Sequence, residues 1–408
     1  MKEFFQNAKS FDEALALAQS LVEPINEIVT ITTTEAPGRM LAEEIVSPLN
    51  LPGFIRSGMD GFAVCAQDTQ PASPEHPIKL KILGRAEMGQ DPASLPTLRQ
   101  SQAMEIGTGG PLPPGSDSVV LLEETERLAS EQVHVFARVQ PGENTIAPDE
   151  DFKIGEKIFS PGHRVRPADI GALLALGYAH LKVFRRVRVG VISTGDELVP
   201  AHQTPKPGQI REINTHILRA QLTEMGADAH VLGIVPDDRT ALLEAVQRAL
   251  KETDFVLLSG GSSVGTKDLT ESVLQALGEI FVHGLRMKPG KPTIFAMSKK
   301  TPMVGLPGNP VSSAVVFATF VAPLVLRRAG ALPNLLCRWR RVKTNREIKS
   351  IKGRTDFVPL MLKQDGSVEP VKGHTTHIST LAKSSGFLFI EADSEGVPEQ
   401  KEVWFEVW

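Results

Sequence analysis

Cysteine is nearly missing from this 408-residue chain. Cys65 and Cys337 are the two copies, in unrelated surroundings and without a CxxC spacing. That excludes a disulfide framework and a cysteine zinc site and makes a reducing, cytoplasmic setting the expected compartment. A basic surplus is missing as well. Lys and Arg number 44 against 48 Asp and Glu, a formal charge of −4, so no nucleic-acid partner is expected. The longest apolar run, 311–326, is interrupted by Ser312-Ser313 and Pro323, and its length of about 16 residues falls short of the roughly 20 that span a bilayer. It reads as a buried helix, and no membrane partner is expected. The first residues carry acids and no uninterrupted apolar core, which argues against a secretory signal. Internal repeats and low-complexity tails are absent too.

What is present is the composition of a packed protein, 41% apolar and 23% charged, with 34 Gly and 30 Pro to make turns. The length suggests about two to four domains. Phe11, Ala14, Leu15, Ala18, Leu21 and Val22 recur at helical spacing and predict an amphipathic helix ending before Pro24. A strand (IVTITT) and a short helix (MLAEEIV) stopped by Pro48 are expected next. Residues 49–140 switch to brief alternating strands parted by Pro, Gly and Ser, a β-rich domain and a candidate insertion. Residues 141–180 give Gly- and Asp-rich turns and a helix from about Pro167 to Leu176. From 181 to 328, strands and helices alternate as in a doubly wound, mainly parallel α/β domain. Short strands return over 329–408 and predict a small all-β terminal domain.

Ligands of open parallel sheets bind outside the carboxyl ends of the strands. Three loops fall there. Ser193-Thr194-Gly195-Asp196-Glu197 places two carboxylates after a buried strand, suited either to a divalent cation or to a helix cap beside a solvated Glu. Gly260, Gly261, Ser262, Ser263 and Gly265, followed by Thr266, Lys267 and Asp268, can turn backbone N–H groups and hydroxyls toward an anion. That loop is neither a Walker loop nor a dinucleotide fingerprint. Asp268 reads equally as a helix N-cap or as a metal or water ligand. In Leu306-Pro307-Gly308-Asn309-Pro310, Asn309 is a plausible N-cap and Pro310 a first helical residue. Just upstream, Lys288-Pro289-Gly290-Lys291-Pro292 holds two ammonium groups near each other, which favours a shared oxyanion. His374 and His377 have HxxH spacing but no third ligand nearby, and read as polar loop residues.

Together SGMDGFAV, IGTGGPLPPGSDSVV, STGDEL, SGGSSVGTKD, KPGKP and GLPGNPVSS resemble, in this order, the molybdopterin molybdenumtransferases of the MoeA family, which includes the E domain of gephyrin. The resemblance runs from about residue 10 to about residue 385. It implies a homodimer of four-domain chains: a discontinuous N-terminal domain (1–48 and 141–180), an inserted β-rich domain (49–140), the α/β molybdopterin-binding domain (181–328) and a C-terminal β-barrel (329–408). It also implies insertion of molybdate into adenylylated molybdopterin, with release of AMP and molybdenum cofactor, help from Mg²⁺, and hand-over of the pterin from the molybdopterin adenylyltransferase. By the same resemblance, Asp60 and Thr108 with Glu197 and Asp268 are catalytic, and Glu197, Asp237, Asp238 and Asp268 are the metal acids. Lys288 and Lys291 form the basic turn, Pro307 and Pro310 the proline loop, and Arg354 and Thr376 the terminal-domain contacts; Asp151 matches a further acid. Gly58 and Ser262 replace the usual Ala and Val. In the dimer, Asp60 and Thr108 of one copy are expected opposite Glu197 and Asp268 of the other. Rival readings are a molybdopterin adenylyltransferase, which would lack the inserted and terminal β domains, and a non-catalytic dimeric scaffold.

Overall fold

Strands buried on both faces read as unbroken apolar runs. In the computed structural model, which describes residues 8–129, 131–260, 267–332 and 339–407, such runs form the centre of a six-stranded sheet. Asp228–Val235, Arg188–Thr194, Phe255–Gly260 and Thr301–Leu306 lie side by side in that order, all parallel. Period-two alternation sorts their side chains between two cores. Phe255 and Leu257 join Leu218 and Leu222 of helix Asn214–Glu224. Val256 and Leu258 face the other way, toward Leu242 and Val246 of helix Arg239–Glu252 and Val273 and Leu274 of helix Lys267–Leu277. Helices thus cover both faces, the doubly wound arrangement expected. The far edge turns antiparallel, where Ile294–Ser298 pairs with Thr301–Leu306 and then with Glu279–His283.

The chain divides into two compact units, one of Met1–Glu43, Pro161–Gly171 and Ala179–Trp408, the other of Glu44–Ser160 with Ala172–Tyr178. In the first, the apolar run is a helix from Pro310 to Arg328, long and apolar enough to cross a membrane by length and composition; yet 72% of its most apolar window is buried. Its own Phe317, Phe320 and Val321 are buried in the core rather than left for lipid. A π turn at Phe317–Val321 precedes Pro323, which relieves the clash of a ring that also lacks an N–H.

The same unit holds a second sheet of seven strands among the described residues. Thr355–Leu362, Val368–Pro370, Gly386–Ile390, Glu402–Val407 and Trp339–Lys343 come from the terminal segment, but Lys9–Ser10 and Leu285–Lys288 come from far upstream. Ser10 then starts helix Phe11–Leu21 with a capping box, its Oγ accepting the Glu13 N–H at 3.3 Å while Glu13 Oε2 accepts the Ser10 N–H at 3.2 Å. Phe11 stands edge-on to Phe357 at 5.1 Å and to Phe320 at 6.5 Å, so the apolar face of this helix is buried as its spacing requires. The short helix expected at MLAEEIV does not form. Met40 and Leu41 bridge to Arg164 and Val183, and Ile45–Val46 pairs with Lys157–Phe159. Seven residues are too few for a helix to hold against such tertiary pairing.

In the second unit a six-stranded sheet runs Ser118–Leu121, Gly61–Val64, Gln102–Ile106, Ile78–Ala86, Gln132–Val135, Thr125–Ala129. One face carries Phe62, Val64, Leu80, Val120 and Val133, the other Ala63, Met104, Ile106 and Val119.

Candidate active site

The helix after Arg188–Thr194 covers one face of the α/β sheet and the helix after Phe255–Gly260 the other, which opens a crevice between the carboxyl ends of these two adjacent strands. Gly260 pairs with Thr194 at this end of the two strands. Its φ is +127° and a Cβ there would lie 2.1 Å from the Thr194 carbonyl oxygen, so glycine is required by conformation and by space. Gly260→Ala should therefore lower stability by at least about 2 kcal/mol, read as a fall in the urea midpoint; an unchanged midpoint would show that the strand ends can part freely.

Past Thr194 the chain exposes Asp196 and Glu197. Asp196 Oδ1 accepts the Asp237 N–H at 3.1 Å, and Asp237 Oδ1 accepts the Thr194 hydroxyl at 2.7 Å, so Asp196 and Asp237 meet at one sheet edge. Asp238 is turned to another task, capping helix Arg239–Glu252 by accepting the Ala241 N–H at 2.8 Å. Of the glycine-rich loop, Gly261, Ser262, Ser263 and Gly265 lie outside the described residues. Asp268 is the second residue of helix Lys267–Leu277, two places inside the cap position considered for it, and its side chain is outside the described set.

The basic turn, the proline loop and both terminal-domain residues belong to the same unit. Lys288 ends the strand Leu285–Lys288, not in the α/β sheet but in register with Asp356 of the terminal sheet. Asp356 is buried and accepts Arg354 Nε at 2.8 Å and Ser350 Oγ at 3.0 Å, which fixes the guanidinium beside that strand end. The exposed Lys288 has no carboxylate partner among the described residues. Gly290 (φ +116°) presses the turn onto the next helix: a Cβ there would meet Val316 Cγ2 at 2.5 Å. The opposite end of helix Pro310–Val316 carries Pro307 and Pro310. Asn309 sits at its cap position without capping; its amide instead reaches Thr375 Oγ1 at 3.4 Å, and the Val311 N–H donates to the Thr375 carbonyl at 3.3 Å. The exposed Thr376 follows directly. His374 and His377 stack edge-on at 5.3 Å in this loop.

In the other unit, Asp60 and Thr108 are 48 residues apart in sequence and in direct contact. Asp60 Oδ1 accepts the Thr108 N–H at 2.7 Å and its hydroxyl at 3.0 Å. These two bonds, the backbone one foremost, hold the Asp60 carboxyl below the usual carboxylate range. A depressed carboxylate pKa adds stability above the unfolded value of roughly 3.9 and loses it as pH falls through the lower folded value. Thr108→Val removes the hydroxyl bond and leaves the N–H, so the Asp60 midpoint should move upward without reaching the free value in a ¹³C-carboxyl NMR titration. No movement would mean that the hydroxyl does not engage the carboxylate. Asp151 lies elsewhere on this unit, exposed, its N–H bonded to the Leu51 carbonyl at 3.0 Å.

Three family models match the sequence: the MoeA N-terminal region (domain I and II) over residues 9–177, the probable molybdopterin binding domain over 190–327 and the MoeA C-terminal region (domain IV) over 341–408. The chain belongs to the MoeA family. Among its relatives, the molybdopterin molybdenumtransferase of Haemophilus influenzae is 31% identical, covering 91% of this chain and 92% of the relative. Molybdopterin molybdenumtransferase 2 of Mycobacterium tuberculosis is 34% identical over 92% and 94%. The crystal structure of the molybdopterin biosynthesis MoeA protein from Pyrococcus horikoshii OT3 superposes with a TM-score of 0.86 at 29% identity, covering 98% of this chain and all of that one. The fold is accordingly the multi-domain α/β and β architecture of MoeA proteins.

Sequence reasoning passed over a buried network beneath the crevice of this MoeA chain. Glu212 is 4% exposed. It accepts the Ser193 hydroxyl and the Thr215 N–H, each at 2.9 Å, and the Thr215 hydroxyl. Asn214 Nδ2 donates to Ser259 Oγ at 2.9 Å and to the Gly308 carbonyl at 2.8 Å. The available signal was an acid and an amide, Glu212 and Asn214, in the apolar approach to a helix, where polar side chains need buried partners.

Proposed function

We propose that this MoeA-family chain inserts molybdate into adenylylated molybdopterin, releasing AMP and molybdenum cofactor. The chain is a transferase of molybdenum cofactor biosynthesis, and the observation that carries the finer assignment is the basic corner. Lys288 is at a strand end beside a guanidinium that Asp356 already holds in place, and Lys291 closes a turn seated on the helix that bears the proline loop. A guanidinium fixed by Asp356 beside the exposed Lys288 suits a small, doubly charged oxyanion, because a donor already in place need not reorganise when it arrives. Thr376, next to the Thr375 that meets the proline loop, would add a hydroxyl. The crevice at Thr194 and Gly260 would take the nucleotide, its phosphates turned toward backbone N–H groups of the glycine-rich loop.

Magnesium suits part of this donor set. It commonly binds through one or two carboxylates together with substrate phosphates, and Asp196 and Asp237 meet at the sheet edge beside Glu197, although no group of three His, Cys, Asp or Glu gathers among the described residues. Glu197, Asp237 and Asp268 would hold the ion, with Asp238 reserved for its helix; when bound, it would offset charge on the phosphoryl oxygens. We further assign Asp60 and Thr108 to the reaction, place the enzyme in the cytoplasm, and take the adenylyltransferase as the source of its pterin nucleotide.

The chain should act as a homodimer. Phe54, Ile55 and Met59, 39%, 43% and 49% exposed near Asp60, form an apolar surface that a second copy would cover. Sedimentation should give about twice the 44.2 kDa chain mass; an active monomer at assay concentration rules this out. The reaction itself is tested by mixing purified protein with adenylylated molybdopterin and following AMP with and without molybdate. AMP release indifferent to molybdate would overturn the assignment, and formation of the nucleotide from ATP and molybdopterin would favour an adenylyltransferase.

A further inference from the structure

The geometry points to Asn214 as a positioning residue for oxyanion binding, acting through the peptide between Gly308 and Asn309; this rests on the basic corner being the molybdate site. Asn214 is 9% exposed and opens helix Asn214–Glu224. Its two amide hydrogens go to Ser259 Oγ at 2.9 Å and to the Gly308 carbonyl at 2.8 Å. The orientation of the amide is set by Gly308, because a carbonyl facing it must meet a donor. One side chain therefore ties the end of strand Phe255–Gly260 to the proline loop that follows Thr301–Leu306. Glu212, two residues earlier, secures the start of the same helix to Ser193 of the third strand.

The consequence lies on the far side of the Gly308–Asn309 peptide. That bond is trans, so its C=O and N–H point in opposite directions. Holding the Gly308 carbonyl against Asn214 turns the Asn309 N–H away from the buried network, and this N–H has no hydrogen-bond partner among the described residues. Asn309 is only half-buried, and its own side chain and the next amide but one, Val311 N–H, reach Thr375, the neighbour of Thr376. A fixed, unspent donor thus stands at the proline loop beside Thr375 and its neighbour Thr376, the latter assigned above with Lys288, Lys291 and Arg354 to the oxyanion. Asn214 carries a further mark of a group kept for position. Its Oδ1 is buried and has no partner among the described residues, a cost that an apolar side chain of the same size would avoid.

The test uses the full-length protein and titrates sodium molybdate and AMP separately, by calorimetry, into wild type, Asn214→Asp, Asn214→Leu and Lys291→Ala. Asn214→Asp keeps the size but sets a carboxylate against the Gly308 carbonyl. Both Asn214 variants should bind molybdate about tenfold more weakly, the loss of roughly one well-placed hydrogen bond, with AMP affinity unchanged. A purely structural role would instead lower the melting temperature and weaken both ligands together, which overturns the inference. Normal molybdate affinity in folded Asn214 variants also overturns it, while weak binding by Lys291→Ala in the same series leaves the oxyanion corner standing. Conversely, a Lys291→Ala variant that binds normally beside weakened Asn214 variants refutes the lysine assignment and keeps Asn214. If neither Asn214 variant folds, the ¹⁵N amide signal of Asn309 in wild type decides: it should shift on adding molybdate, and a signal that stays in place at saturation overturns the proposal.

Discussion

Alanine at Glu197 or at Asp268 is expected to lower molybdate-dependent AMP release by about 10²-fold or more, because a cation that offsets phosphoryl charge contributes several kcal/mol to the barrier. The two acids follow neighbouring parallel strands, Glu197 after Arg188–Thr194 and Asp268 in the first turn of the helix after Phe255–Gly260. An acid in a helix first turn is favoured by the helix dipole, so removing it costs the helix at most about 1 kcal/mol. Glu197 is exposed and caps no helix among the described residues. Both variants should thus fold, and their defect should deepen as Mg²⁺ is lowered. Asp238→Ala is the contrasting control. It loses the Ala241 cap and about 1 kcal/mol of stability, with turnover near normal. Full activity of both acid variants at limiting Mg²⁺ would remove the cation from this edge.

Removing both lysines of the KPGKP turn should have an effect of similar size on a different quantity. Each charge-assisted hydrogen bond is worth roughly 1.5–3 kcal/mol, so Lys291→Ala should raise the molybdate concentration for half-maximal rate by about tenfold or more, and the Lys288→Ala, Lys291→Ala double variant further still. Affinity for the pterin nucleotide should hardly change if molybdate is their ligand, since the lost attraction acts on one substrate. The reverse pattern would assign the turn to the pterin phosphate. Added salt should weaken the same ligand, and more in wild type than in the double variant. Unchanged affinity for both ligands in both variants would leave the turn a purely structural part.

Much of the architecture was legible beforehand because it is local. Phe255 to Leu258 alternate between two cores, and the 310–328 helix is apolar all round because it is buried, so periodicity and composition carried both assignments. MLAEEIV misled because helical spacing over seven residues is outbid by strand pairing, and pairing partners such as Arg164 and Val183 lie more than a hundred residues away. The candidate site divides along the same line. Glycine-rich turns, acids and lysines at strand ends announced themselves as residue types, but their groupings did not.

What the sequence by itself determined were element types, the acidic balance, the order of the motifs and hence the family, since each depends on residues close together or on their order along the chain. Only the tertiary structure decided that Lys288 belongs to the terminal sheet beside Asp356 and Arg354, that Asp60 bonds Thr108, and that Asn214 joins Ser259 to Gly308. Those pairings span from 45 to 94 residues for the hydrogen bonds of Asp60 and Asn214. The physical reason is that a hydrogen bond or ion pair needs atoms about 3 Å apart, and no periodicity along the chain encodes which distant strand ends will meet.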